Sequence, residues 1–174
     1  RASSSGIEIA GDLEPVEVLG SDADLALAVR NLLDNALKYG PVGETVRIRA
    51  LKRDGWVRIS VEDEGPGIPV GERARIWDPY HRLDRDVEGQ VRGSGIGLSV
   101  VAELAEAAGG AAWVEEGREG SARFVIRIPE TDSASDETTN AGNGNYFYID
   151  NIRLDYLAST EVMDLKMIGG ELDW

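Results

Sequence analysis

Leu25, Val29, Leu32 and Ala36 recur at the three-to-four-residue spacing of a buried helical stripe, which predicts a helix over residues 21–38. Ser21 stands at the N-cap, Asp24 complements the helix dipole in the first turn, and Gly40-Pro41 ends the run. The period then becomes alternating. Residues 46–50 and 56–61 read as two strands on either side of Asp54-Gly55, the signature of a tight hairpin. A second helix is expected over 98–108, directly after Gly93-Ser94-Gly95-Ile96-Gly97, and a second hairpin from strands 112–115 and 123–128. Residues 7–9 alternate briefly, and 69–77 suit a short helix. Residues 82–95 are polar, charged and glycine-punctuated with no useful period, which predicts a long mobile loop. Two or three helices against a largely antiparallel sheet make an α+β sandwich.

Composition sharpens the boundaries. The 174 residues are 42% hydrophobic and 29% charged, ordinary for a folded domain. No apolar run approaches the roughly 18 residues that span a bilayer, so no direct membrane contact is expected. Cysteine is absent, which removes disulfides and thiolate metal sites and fits a cytoplasmic setting. The formal net charge of −14 repels nucleic-acid phosphates, so nucleic acid is not expected as a partner. The acid is unevenly spread: residues 131–174 hold two basic side chains, Arg153 and Lys166, against nine acidic ones. That shift divides the chain into a main domain over 1–130, a polar linker over 131–145 and an acidic tail over 146–174. Residues 146–154 are strand-like; about thirty residues cannot bury a core alone, and the tail is read as an extension able to pack on the main domain as an added strand.

Three segments carry candidate chemistry. Asn31, Asn35 and Lys38 share one face of the first helix, opposite the leucines. Amide oxygens suit a hard cation and an ammonium suits phosphate. Next, the second strand runs into Glu62-Asp63-Glu64-Gly65-Pro66-Gly67-Ile68. A carboxylate at a strand end accepts from an exocyclic amine, while glycine lets a flat ring approach the backbone. Third, Gly93-Ser94-Gly95-Ile96-Gly97-Leu98 opens a helix, where backbone N–H groups bind phosphate. A polar loop precedes that turn, against a dinucleotide fingerprint, and the chain has no GxxxxGK[ST], which excludes a P-loop. Between these segments, the aromatics of residues 76–83 are expected to pack, Arg82 to stand in reach of a terminal phosphate, and His81, the sole histidine, to be structural or solvated. Each segment alone has an ordinary explanation as a polar helix face, a strand-end turn or a glycine-rich loop.

Taken in order, residues 31–39 (NLLDNALKY), 63–67 (DEGPG), 76–83 and 93–98 resemble the N, G1, F and G2 boxes of sensor histidine kinases, a family within the group shared with gyrase B, Hsp90 and MutL ATPases. Gly109-Gly110, Trp113-Val114-Glu115 and Gly120-Ser121 before Phe124 look like that family's closing hairpin, so the resemblance covers about residues 7–129. It implies a Bergerat-type two-layer α/β sandwich, a mixed sheet with helices on one face and ATP beneath a flexible lid. It implies Asn35 as the Mg²⁺ ligand with Asn31 beside it, Lys38 on phosphate and Tyr39 next to the nucleotide. Asp63 would accept from the adenine amine, with Gly65, Gly67 and Ile68 shaping that pocket. Arg82 would reach the terminal phosphate, and Gly93, Ser94, Gly95, Ile96, Gly97 and Leu98 would form the lid hinge and phosphate cradle. Asn31, Lys38 and Arg82 are the catalytic expectation; ATP and Mg²⁺ are the implied cofactors.

Trp77 and Tyr80 stand where the family usually has phenylalanine, and Ala108 where it often has histidine. No histidine followed by Glu and Arg-Thr-Pro occurs upstream, so the implied phosphoacceptor and dimerisation domain is a separate partner, with a response regulator downstream. The chain is therefore expected to be monomeric and to bind ATP with little turnover. The implied activity is transfer of the ATP γ-phosphoryl group to histidine. An anti-sigma-type serine kinase, another ATPase of the superfamily and a nucleotide-binding regulatory module are the alternatives.

Overall fold

The structure, a computed structural model, describes residues 8–13, 18, 22–88, 93–130 and 166–168. Helix α1, Asp22–Tyr39, forms because Leu25, Ala28, Val29, Leu32, Leu33 and Ala36 fall on one stripe, and all are buried. Its last turn closes as Gly40 N donates to Ala36 O at 2.8 Å, and Pro41 cannot continue the ladder. Strands β2 (Thr45–Arg53) and β3 (Trp56–Glu62) pair antiparallel through Asp54 and Gly55, whose φ angles of 53° and 77° are the left-handed pair that a two-residue hairpin needs.

Strand β1 (Glu8–Leu13) runs parallel to β2, while β4 (Ala111–Glu116) and β5 (Ala122–Pro129) form the second hairpin, with β5 against β3. With β6 (Lys166–Ile168) parallel to β1, the described residues make a six-stranded mixed sheet in the order β4-β5-β3-β2-β1-β6. The linker 131–145, the strand-like stretch 146–154 and the Ser21 cap lie outside the described residues.

Alternation along the strands decides the layers. Val46, Ile48, Ala50, Val57, Ile59, Val61, Phe124, Ile126 and Ile128 join the α1 stripe and Val101 and Ala105 of α3 (Gly97–Ala107) in one core. Burying each of the Val, Leu, Ile and Phe side chains among them contributes about 1.5–3 kcal/mol. The intervening residues form the opposite face. There the Arg127 guanidinium lies 4.3 Å from the Trp56 ring, Arg58 lies 5.7 Å from the Trp113 ring, and Arg58 pairs with Glu115 at 2.7 Å. No described helix is long and apolar enough to cross a membrane.

Two expected elements differ in detail. Residues 69–77 form two 3₁₀ turns, Val70–Glu72 and Arg75–Trp77; the second ends where Asp78 turns extended ahead of Pro79. Within the expected loop 82–95 lies a short helix, α2 (Asp84–Glu88), with Val87 N donating to Leu83 O at 3.2 Å. A single turn leaves no measurable period, which is why the pattern concealed it.

Candidate functional site

Strand β3 delivers Asp63 to the floor of a cavity of about 290 Å³. Asp63 is 4% exposed, and its Oδ1 accepts from Gly65 N at 2.9 Å and from Ala122 N at 3.4 Å. Burial pushes it above the ordinary aspartate range; the two amides and Arg85 oppose that shift, and neighbouring Glu62 adds to it. Beyond Asp63, Pro66, Gly67 and Ile68 form one wall. Gly67 is required there: its φ is 66°, and a Cβ would fall 2.1 Å from the Gly120 carbonyl oxygen.

Helix α1 supplies the opposite wall. Asn31, Asp34, Asn35 and Lys38 all line the cavity, as their helical spacing dictates, and Tyr39 follows. The Lys38 ammonium donates to Tyr39 Oη at 3.0 Å and reaches the glycine loop, where a Cβ on Gly93 would lie 2.2 Å from Nζ. Asn31 Oδ1 approaches the first turn of α3, 3.6 Å from where a Cβ on Gly97 would stand. That helix opens on Ile96 with no side-chain cap, and Gly97 and Leu98 of its first turn line the cavity.

The segment between these walls closes the site. Ile76, His81, Arg82 and Leu83 line it, and Phe124 of β5 meets the Trp77 ring edge-on at 6.3 Å between centroids. Trp77 packs as expected, but Tyr80 does not: it is 73% exposed. Its backbone sits at φ 65°, turned so that its N–H donates to Gly95 O at 2.9 Å, which leaves the ring outside. Gly95, at φ 74°, must be glycine for the same reason, since a Cβ would lie 2.9 Å from Tyr80 Cα. His81 is half-buried and pairs with Glu72 at 2.8 Å. Arg85, on α2, donates across the mouth to the Gly67 carbonyl.

The cavity thus gathers Asn31, Asn35, Lys38, Tyr39, Asp63, Gly67, Ile68, Arg82, Gly93, Ser94, Gly95, Gly97 and Leu98 from the sequence reading. Gly65 and Ile96 do not line it: Gly65 packs behind the turn against the Tyr39 carbonyl, and Ile96 is exposed at the start of α3. Asp34, Arg85 and Asp86 line it without having been read from the sequence. For Asp34 a signal existed, the three-residue step from Asn31 on the same helical face. Arg85 and Asp86 sit in a polar stretch where no pattern separates inward from outward.

A family model described as histidine kinase-, DNA gyrase B- and HSP90-like ATPase matches residues 20–132. The adaptive-response sensory kinase SasA of Trichormus variabilis is 43% identical over 100 residues, covering 57% of this chain and 24% of that protein. Among solved structures, a mycobacterial sensor histidine kinase, MprB, superposes with a TM-score of 0.65 at 32% identity over 73% of this chain and 84% of the other. Full-length ShkA in complex with AMPPNP superposes with a TM-score of 0.63 at 33% identity over 75% of this chain and 27% of the other. The chain spans about a quarter of the length of the curated relatives it matches.

Proposed function

The chain belongs to the family of histidine kinase-, DNA gyrase B- and HSP90-like ATPases, and on that premise we propose that residues 1–130 are the ATP-binding catalytic domain of a two-component sensor histidine kinase. It passes the γ-phosphoryl group of ATP to a histidine on a separate dimerisation and phosphoacceptor domain, from which a response regulator is served. The observation that supports this most is convergence: the polar face of α1, the carboxylate ending β3 and the glycine turn before α3, far apart in sequence, line one cavity. The AMPPNP complex of the ShkA neighbour supports the choice of nucleotide. The domain is read as cytoplasmic and monomeric by itself, with residues 131–145 a linker and 146–174 a tail whose strand β6 extends the sheet edge without lining the cavity.

Each wall then has a task. Asp63 accepts from the adenine amine, with Gly67 and Ile68 against the ring and Gly65 holding the turn from behind. Leu83, Ile76 and Phe124 keep water from the base. Lys38 and Arg82 set positive charge against the phosphates, Arg82 from the lid side, and the amides from Gly93 to Leu98 cradle them. Closure of α2 over the phosphates excludes water from the reacting group. The donor set also fits Mg²⁺. Asn31 and Asn35 bring hard amide oxygens, and Asp34 Oδ1 is buried with no hydrogen-bond partner among the described residues. A Mg²⁺ ion held by one or two side chains and by substrate phosphates needs no larger set of protein ligands. Asn35 would hold it with Asn31 beside it; when bound, the ion offsets phosphate charge.

Calorimetric titration of an ATP analogue with Mg²⁺, repeated on Asn35→Ala and Asp63→Ala, tests the site. Binding by the parent chain with loss in both folded variants is expected; unchanged affinity in both sinks the assignment. A histidine-bearing hairpin domain added in trans then tests transfer, with acid-labile phosphohistidine as the product.

A further inference from the structure

Glu44 is a carboxylate in the short loop between α1 and β2, yet it is 1% exposed. Its Oε2 accepts from Glu64 N at 3.0 Å, and its Oε1 is buried with no hydrogen-bond partner among the described residues. The carboxyl lies flat on Gly40, where a Cβ would come within 2.0 Å of both oxygens. The same turn is held from the other side. Thr45 N and Arg47 Nη1 donate to the Glu64 carboxylate at 3.2 Å and 3.1 Å, and a Cβ on Gly65 would lie 2.9 Å from the Tyr39 carbonyl oxygen. The residue preceding this clasped amide is Asp63.

We propose that Glu44 is a positioning residue for base recognition: by gripping the Glu64 amide from beneath Gly40, it fixes the turn that aims the Asp63 carboxylate into the cavity. The inference rests on the nucleotide reading of the cavity and adds to it a residue that touches no ligand. A carboxylate holding a single amide inside the protein is an uncommon choice, since desolvating it is costly unless another requirement keeps it there. Burial pushes the Glu44 carboxyl above the ordinary glutamate range; the Glu64 amide opposes this, and the charges of Asp63 and Glu64 add to it. A neutral side chain of the same length with an oxygen acceptor therefore suits the place.

The test is selectivity for the amine, which general loosening of the fold would not alter. An ATP analogue and its counterpart lacking the 6-amino group are titrated, both with Mg²⁺, against the parent chain, Glu44→Gln, Glu44→Met and Gly40→Ala, with melting curves to establish folding. Glu44→Gln keeps the acceptor and is expected within about threefold of the parent for both ligands. Glu44→Met removes the acceptor, and Gly40→Ala displaces the intact carboxylate. Each is expected to weaken the amine-bearing ligand by about tenfold, roughly the worth of one hydrogen bond, and the amine-free ligand far less. Equal weakening of both ligands, or parental selectivity in Glu44→Met and Gly40→Ala, overturns the proposal, as does loss of selectivity in Glu44→Gln. If Glu44→Met does not fold, Gly40→Ala and Glu44→Gln decide alone. A parent chain that binds neither ligand overturns the nucleotide site itself, and this inference with it.

Discussion

Both amides that hold Asp63 meet the same oxygen, Oδ1, and this makes the side chain directional. In Asp63→Asn the carboxamide oxygen must take that place, so the NH₂ group confronts an incoming amine donor to donor. Affinity for the ATP analogue should fall by at least about tenfold, while a 6-keto nucleotide gains relative to it; competition titration checks both. Protonation of the parent carboxyl has the same effect. Since burial raises Asp63 above 3.8, affinity should decline on acidification from a higher pH than an ordinary aspartate would set. Glu62, one residue earlier, behaves oppositely. Burial pushes its carboxyl up, but hydrogen bonds from Arg118 N and Arg123 outweigh that and leave it lowered. Its stabilisation is therefore present above 4.5 and lost as pH falls through the lowered value. Glu62→Gln should cost about 1–2 kcal/mol at neutral pH, a difference that denaturant titrations should find vanishing in acid.

Among the elements, helix α2 is tied to the Gly67 wall by Arg85 on the Gly67 carbonyl. Arg85→Ala should leave the fold intact and speed nucleotide release by about three- to tenfold, one hydrogen bond's worth, measured by stopped-flow displacement. Elements with several turns or a strict alternation were legible beforehand. Helix α1, both hairpins and α3 follow from apolar spacing and from Asp54-Gly55 and Gly40-Pro41. A five-residue helix or a 3₁₀ turn repeats too few times to show a period. The exposure of Tyr80 was hidden for a different reason: its side chain is turned out by a positive φ that is set by contact with Gly95, fifteen residues along. Glu44, Arg85 and Asp86 are polar residues in polar surroundings, where burial is decided by tertiary contacts alone.

At the scale of the whole molecule, the cavity is built entirely from residues between Asn31 and Phe124, while β6 lies at the outer edge of the sheet beside β1. Truncation after Glu130 should therefore keep analogue affinity within about twofold, but expose the β1 edge to pairing with another copy; calorimetry and sedimentation would separate the two effects. The one-sided core gives this arrangement its polarity: helices and cavity share one face, and arginine-stacked tryptophans cover the other. The indoles of Trp56 and Trp113 lie beneath guanidinium groups on that distant face, whereas Trp77 meets Phe124 at the cavity lining. That placement predicts that emission from Trp77, isolated as the difference from Trp77→Phe, shifts on nucleotide binding, which a label-free fluorescence titration checks.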